Sequence, residues 1–334
     1  MSDARKISYW AIAVFAAAAV YWQLSSALLA GLFSFFVLDL TYKRLSRTLP
    51  RAAARWASLG VFLVSSVFFV WMLGVFIKLS ATRVPEMISI VLPRLNALAT
   101  RYGLSMPGSL EDLRGVIISA VVEHAQALTK TSGVLTRELF EILVSVLVAI
   151  LFHLSVLRKA NIRSDAAPRN NLLGAFLVEF AQRTRIFVGG FETIFRIQIL
   201  LAVFRCAVLA VFLLLTRMPW MHFLLVATFL LSVIPIVGAF TSSALILAAA
   251  FTVSFHAAIG TLVFLLILHQ AEYLIYSRLV GTGFALPTWI ILLGLLIGEK
   301  CLGLAGLILA PVVIHYLREE LRLLPGPPLP AGSA

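Results

Sequence analysis

Six ionisable residues in the second half of this chain stand in runs otherwise apolar enough for lipid: Arg205, His269, Glu272, Arg278, Glu299 and Lys300. A charge at membrane depth costs about 3 kcal/mol on insertion scales, and more if isolated, so it is usually kept for a role. Arg205 lies near the middle of an apolar run and requires a carboxylate or a water-filled cavity beside it. Glu272 or another intramembrane acid is the expected partner. Glu272 reads equally as a structural partner of Arg205 or Arg278 and as a contact for a solute or ion. His269, with a reference pKa near 6.5, would suit a proton carrier.

Pro235, Gly238 and Gly298 interrupt the same runs. Proline removes a helical hydrogen bond, and glycine admits positive φ. Pro235 and Gly238 therefore break the helix, or only kink one that neighbours re-satisfy. Around Gly298-Glu299-Lys300 two apolar halves of roughly a dozen residues meet, each shorter than the roughly 20 residues that cross a ~30 Å hydrocarbon core. Glu299-Lys300 also fits a simple turn at an interface. Unwound backbone at membrane depth is tolerated only where protein or a polar cavity surrounds it. The freed ends present partial charges of roughly half a unit, enough to hold a small polar solute or ion. The two breaks are accordingly expected close together, with Glu272 within reach, lining a solute path.

The elements that must position these residues follow from composition. The chain has 334 residues, 61% hydrophobic and 13% charged, with a mean hydropathy of +1.01. Soluble domains are nearer 45–50% apolar and about 25% charged. An all-α, polytopic transmembrane bundle results, with about eight hydrophobic segments, two of them broken or re-entrant. The formal charge of +12 marks topology, since basic residues cluster at cytoplasmic span ends; no nucleic-acid partner is implied. Cys206 and Cys301 lie in apolar spans without metal-ligand spacing.

Residues 1–79 read as a helix hairpin (Ile7–Tyr21, Leu24–Leu38) and a third span, Ala57–Ile77. Lys43, Arg44, Arg47, Arg51 and Arg55 set the cytoplasmic side, together with the N-terminus. Residues 80–136 read as an amphipathic extracytoplasmic insert, with a capping-box start at Ser109 and Asp112 and with His124 beside its apolar stripe. Residues 137–157 are a fourth span and 158–196 a cytoplasmic segment. Residues 197–318 form the C-terminal core, and 319–334 a disordered tail. His153 and His315 lie near span ends, where an interfacial position is expected.

The runs Phe229–Gly238 (FLLSVIPIVG), His269–Gly281 (HQAEYLIYSRLVG) and Ile291–Val312 (ILLGLLIGEKCLGLAGLILAPV) resemble the autoinducer-2 exporter (AI-2E) family of bacterial permeases. The order of features matches over most of the chain and most closely from about Gln198 onward. The resemblance implies a multi-pass inner-membrane permease without a cofactor, forming homo-oligomers. It is named for export of a small sugar-like signal, and other members are linked to sodium–proton exchange. Two departures stand out. Glu272 and Ser277 take places where many members carry asparagine and then proline, and Arg205 stands where an uncharged residue is common. No Walker-type loop, GxSxG or HExxH occurs, so an enzyme is not expected. A cation–proton antiporter using Glu272 and His269 is one alternative to solute transport; a membrane scaffold docking through the insert is another.

Overall fold

The computed structural model of the chain describes residues 3–101, 115, 132–159, 171–280 and 288–322. Among these the structure is all-helical, with nine helices and no strand. In chain order they are α1 (Asp3–Tyr21), α2 (Ser25–Leu45), α3 (Arg51–Arg101), α4 (Ser132–Lys159), α5 (Leu172–Thr216), α6 (Met221–Leu231), α7 (Val237–Val253), α8 (Phe255–Val280) and α9 (Thr288–Arg322). Five stretches are long and apolar enough to cross a membrane: Ser25–Leu45, Arg51–Leu98, Leu172–Thr216, Phe255–Tyr276 and Trp289–Arg322. Large apolar side chains such as Val67 and Ile267 stand 71% and 65% exposed on these helices. Apolar surface on this scale suits lipid, not water. The protein is a multi-pass membrane protein.

The described chain divides into two compact units. The first contains α1, α2, most of α4, the opening part of α5 and all of α9. The hairpin α1–α2 turns at Gln23, which sits at φ 56°. Phe33 packs on Phe195, ring centroids 4.4 Å apart, and Phe191 stacks on Phe195 at 4.2 Å. Helix α2 approaches α4 closely at Gly31, where the Ser145 hydroxyl donates to the Ala27 carbonyl at 2.5 Å. His153 is buried beside the rings of Phe35 and Tyr42. His315 lies over Gly190.

The second unit holds most of α3, the rest of α5, and α6, α7 and α8. Its core joins Leu209, Leu213, Phe223, Leu224, Ile246 and Leu265. Phe212 stacks on Phe264 at 3.8 Å. The expected boundary after residue 79 falls within a helix. Helix α3 runs on to Arg101 through Pro85 and Pro93. Its apolar face continues past Lys78: Met87 is buried, and Phe76, Leu79 and Val84 pack beside it. Arg83 and Glu86 pair at 2.8 Å one turn apart. Further along, Arg94 donates to the carbonyls of Phe251 and Val253, both at 3.1 Å. Those carbonyls close α7 and lack intrahelical partners, so a cation there suits the negative helix end.

Helix α5 is continuous from Leu172 to Thr216 across the expected division at residues 196 and 197, where the two compact units also divide. Gly189 and Gly190 do not interrupt it. A glycine in a helix interior costs only about 1 kcal/mol relative to alanine, which packing on Phe191 and Phe195 outweighs. Ser109, Asp112, His124, Pro287 and the tail from Pro325 lie outside the described residues.

Candidate functional site

Three helices of the second unit bring together Arg205, His269 and Glu272 with two serines, Ser242 and Ser243. Arg205 projects from α5 and is 3% exposed. Its Nε donates to Glu272 Oε1 at 2.6 Å, and its Nη2 to Glu272 Oε2 at 3.0 Å. The pair is bidentate, the geometry in which a guanidinium binds a carboxylate most strongly. Nη1 donates to the Ser242 hydroxyl at 3.1 Å. Nη2 also lies 3.1 Å from His269 Nδ1.

Arginine has donors only, so a hydrogen bond from Arg205 Nη2 to His269 Nδ1 uses the ring nitrogen as acceptor. Nδ1 also lies 3.5 Å from Glu272 Oε2. Nε2 lies 3.2 Å from the Ser243 hydroxyl, which donates to the Ala239 carbonyl at 2.8 Å. The Ser242 hydroxyl donates to the same carbonyl at 3.0 Å. The cluster is therefore one arginine, one carboxylate, one histidine and two hydroxyls. The Glu272 and His269 side chains are 15% and 31% exposed, while that of Arg205 is nearly sealed. The more exposed edge of the cluster is thus the Glu272–His269 side.

One turn before Ser242 lies the break between α6 and α7. Residues 232–236 leave the helix, as Pro235 dictates. Ile236 sits at φ 62°, ψ −66°, and Val237 N–H donates to the Pro235 carbonyl at 2.6 Å. This is a γ-turn of the strained hand, occupied by a β-branched residue. Such backbone costs roughly 1–3 kcal/mol and persists only where surroundings over-determine it. Two contacts do so. The Gln198 amide donates to the Ser232 carbonyl, satisfying an acceptor the break frees. Gly238 lies so close to the end of α6 that an added Cβ would stand 1.6 Å from the Leu231 carbonyl oxygen.

The second break lies five residues beyond Gly298. Residues Gly298, Glu299 and Lys300 are helical, and the chain turns at Gly303, φ 60°, ψ −141°. That conformation is essentially closed to residues with a Cβ. The halves of α9 fold back on one another: Gly298 meets the Gly306 backbone, and Gly294 faces Ile314. Gly298 is thus a packing residue rather than the turn, because close approach of two helices also selects glycine. Glu299 and Lys300 form an exposed pair at 3.7 Å. Arg278 is exposed in the last turn of α8. This second break belongs to the first unit. Among the described residues no group of His, Cys, Asp or Glu is placed to hold a metal.

A family model described as AI-2E family transporter matches residues 9–324, nearly the whole chain. The chain belongs to this family. None of the curated proteins matches it. The match covers the three runs from Phe229, His269 and Ile291 that carry the resemblance, and it agrees with a transporter rather than an enzyme. Within this AI-2E chain, sequence reasoning singled out Arg205, His269 and Glu272 but passed over Ser242, Ser243 and Gln198. A Ser-Ser pair in an otherwise apolar helix, one turn after a Pro–Gly break, was the available signal.

Proposed function

We propose that this AI-2E family member is an inner-membrane secondary transporter for a small polar solute, and that the Arg205–Glu272–His269 cluster beside the α6–α7 break is its contact site. The observation that carries this reading is the cluster itself. A sealed guanidinium holds a carboxylate and an imidazole whose outer edges remain accessible, one turn from unwound backbone. Broken helices that present free backbone groups to a solute recur in transporters. Because Arg205 and Glu272 already pair with each other, a neutral polar cargo enters without uncovering an isolated ion. In this reading α6–α7 and the folded α9 are re-entrant elements and the bundle has about eight hydrophobic segments. Gly238 shapes the first break, and Gly303 with Gly298 the second. The resemblance adds a homo-oligomeric assembly.

Counterflow in proteoliposomes against a panel of polar metabolites tests the function. Glu272→Gln keeps the side-chain volume and loses the bidentate pair, so transport of the active solute is expected to fall at least about tenfold, the scale of one charge-assisted hydrogen bond. Full activity in Glu272→Gln would remove the cluster from the path.

The orientation proposed has the N-terminus and the Lys43–Arg55 basic turn in the cytoplasm, because basic residues stay on that side. The α5–α6 turn at Thr216 then faces outward. Ser46→Cys should react with a membrane-impermeant maleimide only in opened cells, and Thr216→Cys in intact ones. The reverse pattern would invert the topology.

A further inference from the structure

A second ionic cluster lies in the first unit, and the transport reading makes no use of it. Arg5 of α1, Glu179, Gln182 and Arg183 of α5, and Glu320 of α9 line a cavity of about 180 Å³. Arg183 is a buried wall of this cavity, engaged mainly through Nη1. Its Nη1 lies 2.6 Å from the Ser8 hydroxyl, 2.9 Å from Glu179 Oε2 and 3.1 Å from the Glu179 carbonyl. Its guanidinium carbon stands 4.1 Å over the Tyr9 ring, a cation–π contact. Its Nε is 3.2 Å from Glu320 Oε1, which also accepts the Tyr9 hydroxyl at 2.6 Å.

The atoms left without a hydrogen-bond partner at this cavity have opposite signs. The Glu320 side chain is 9% exposed, yet its Oε2 is buried without a hydrogen-bond partner. Arg5 Nε is likewise buried without one. A buried ionised group left unmatched is costly, so each site calls for a guest or for water. Two arginines and two glutamates sum to zero charge. A singly charged guest would therefore leave one buried charge uncompensated, whereas a guest bearing both signs would not. Charge-assisted hydrogen bonds are roughly twice as strong as neutral ones, which favours ionic ends over an amide. A water takes about 30 Å³ of liquid volume, so the space holds several waters or one solute of a few heavy atoms.

We propose that this cavity binds a small zwitterion, its ammonium on Glu320 Oε2 and its carboxylate on Arg5 Nε. The site is independent of the Arg205 cluster, and binding is measured in detergent, where no transport takes place.

Isothermal titration of the purified full chain with L-alanine, acetate, methylammonium and acetamide tests this. L-Alanine should bind saturably, and the three single-function probes at least about tenfold more weakly, since each lacks one charge-assisted bond. Arg5→Gln should weaken L-alanine by a similar factor. It carries the test because Glu320→Gln also disturbs Tyr9 and Arg183 and can cost folding; size-exclusion profiles of both variants separate the two effects. Absence of L-alanine binding, acetamide binding equally well, or an unchanged affinity in folded Arg5→Gln would each overturn the proposal and leave the cavity to water.

Discussion

Glu272→Leu alone is expected to destabilise the detergent-solubilised protein more than Arg205→Leu and Glu272→Leu together. Arg205 is 3% exposed and cannot shed its proton. With Glu272 gone, among the described residues the Ser242 hydroxyl and His269 Nδ1 are left facing the guanidinium. Neither carries a compensating charge. Breaking a buried ion pair by removing one partner costs about 3–5 kcal/mol, whereas replacing both partners by apolar side chains is often neutral. The loss of packing from two leucine substitutions is smaller than that, because both stems are already apolar. The double variant should therefore recover about 2 kcal/mol or more of the single variant's loss, within the range seen for contacting residues. Thermal unfolding of all three variants gives the coupling directly. Losses that simply add would mean that Arg205 is compensated elsewhere.

The charges of this cluster were legible in the sequence because an apolar helix makes each one conspicuous. Arg205 and Glu272 stand 67 positions apart, and only the scarcity of other intramembrane acids paired them. The hydroxyls escaped notice because Ser242 and Ser243 are unremarkable in a small-residue helix. Their role depends on α7 lying against α5 and α8, which no local pattern encodes. The second break was displaced for a different reason. Gly298-Glu299-Lys300 carries the charge, and charge reads as a turn. The chain instead keeps that pair on an exposed helical surface and turns at Gly303. Glycine serves both turns and close packing, and sequence alone does not separate Gly298 from Gly303. The continuity of α3 was hidden by Lys78, Pro85 and Pro93, three residues that punctuate helices locally. Burial of Met87 and its neighbours on the opposite face overrode them.

Gly306→Ala should destabilise the fold while Gly260→Ala leaves it unchanged or improves it, although both glycines are helical. Alanine is favoured over glycine in a helix interior by about 1 kcal/mol. Position 260 on α8 has nothing within 4 Å of an added Cβ, so the propensity gain stands alone there. At position 306 the added Cβ would lie 1.8 Å from the Gly298 carbonyl oxygen and 2.3 Å from its carbon. Those are backbone atoms of the facing half-helix, and no rotamer change relieves them. Overpacking typically costs about 1–3 kcal/mol, and a clash this deep against backbone belongs at the upper end. The clash therefore outweighs the propensity term, and the halves of α9 must part. Thermal unfolding should show a lowered midpoint for Gly306→Ala beside an equal or raised one for Gly260→Ala. Cysteines placed at Gly294 and Ile314 should cross-link readily in the parent and slowly in the Gly306→Ala background. Rapid cross-linking there, with an unchanged midpoint, would show that α9 does not close on its glycines.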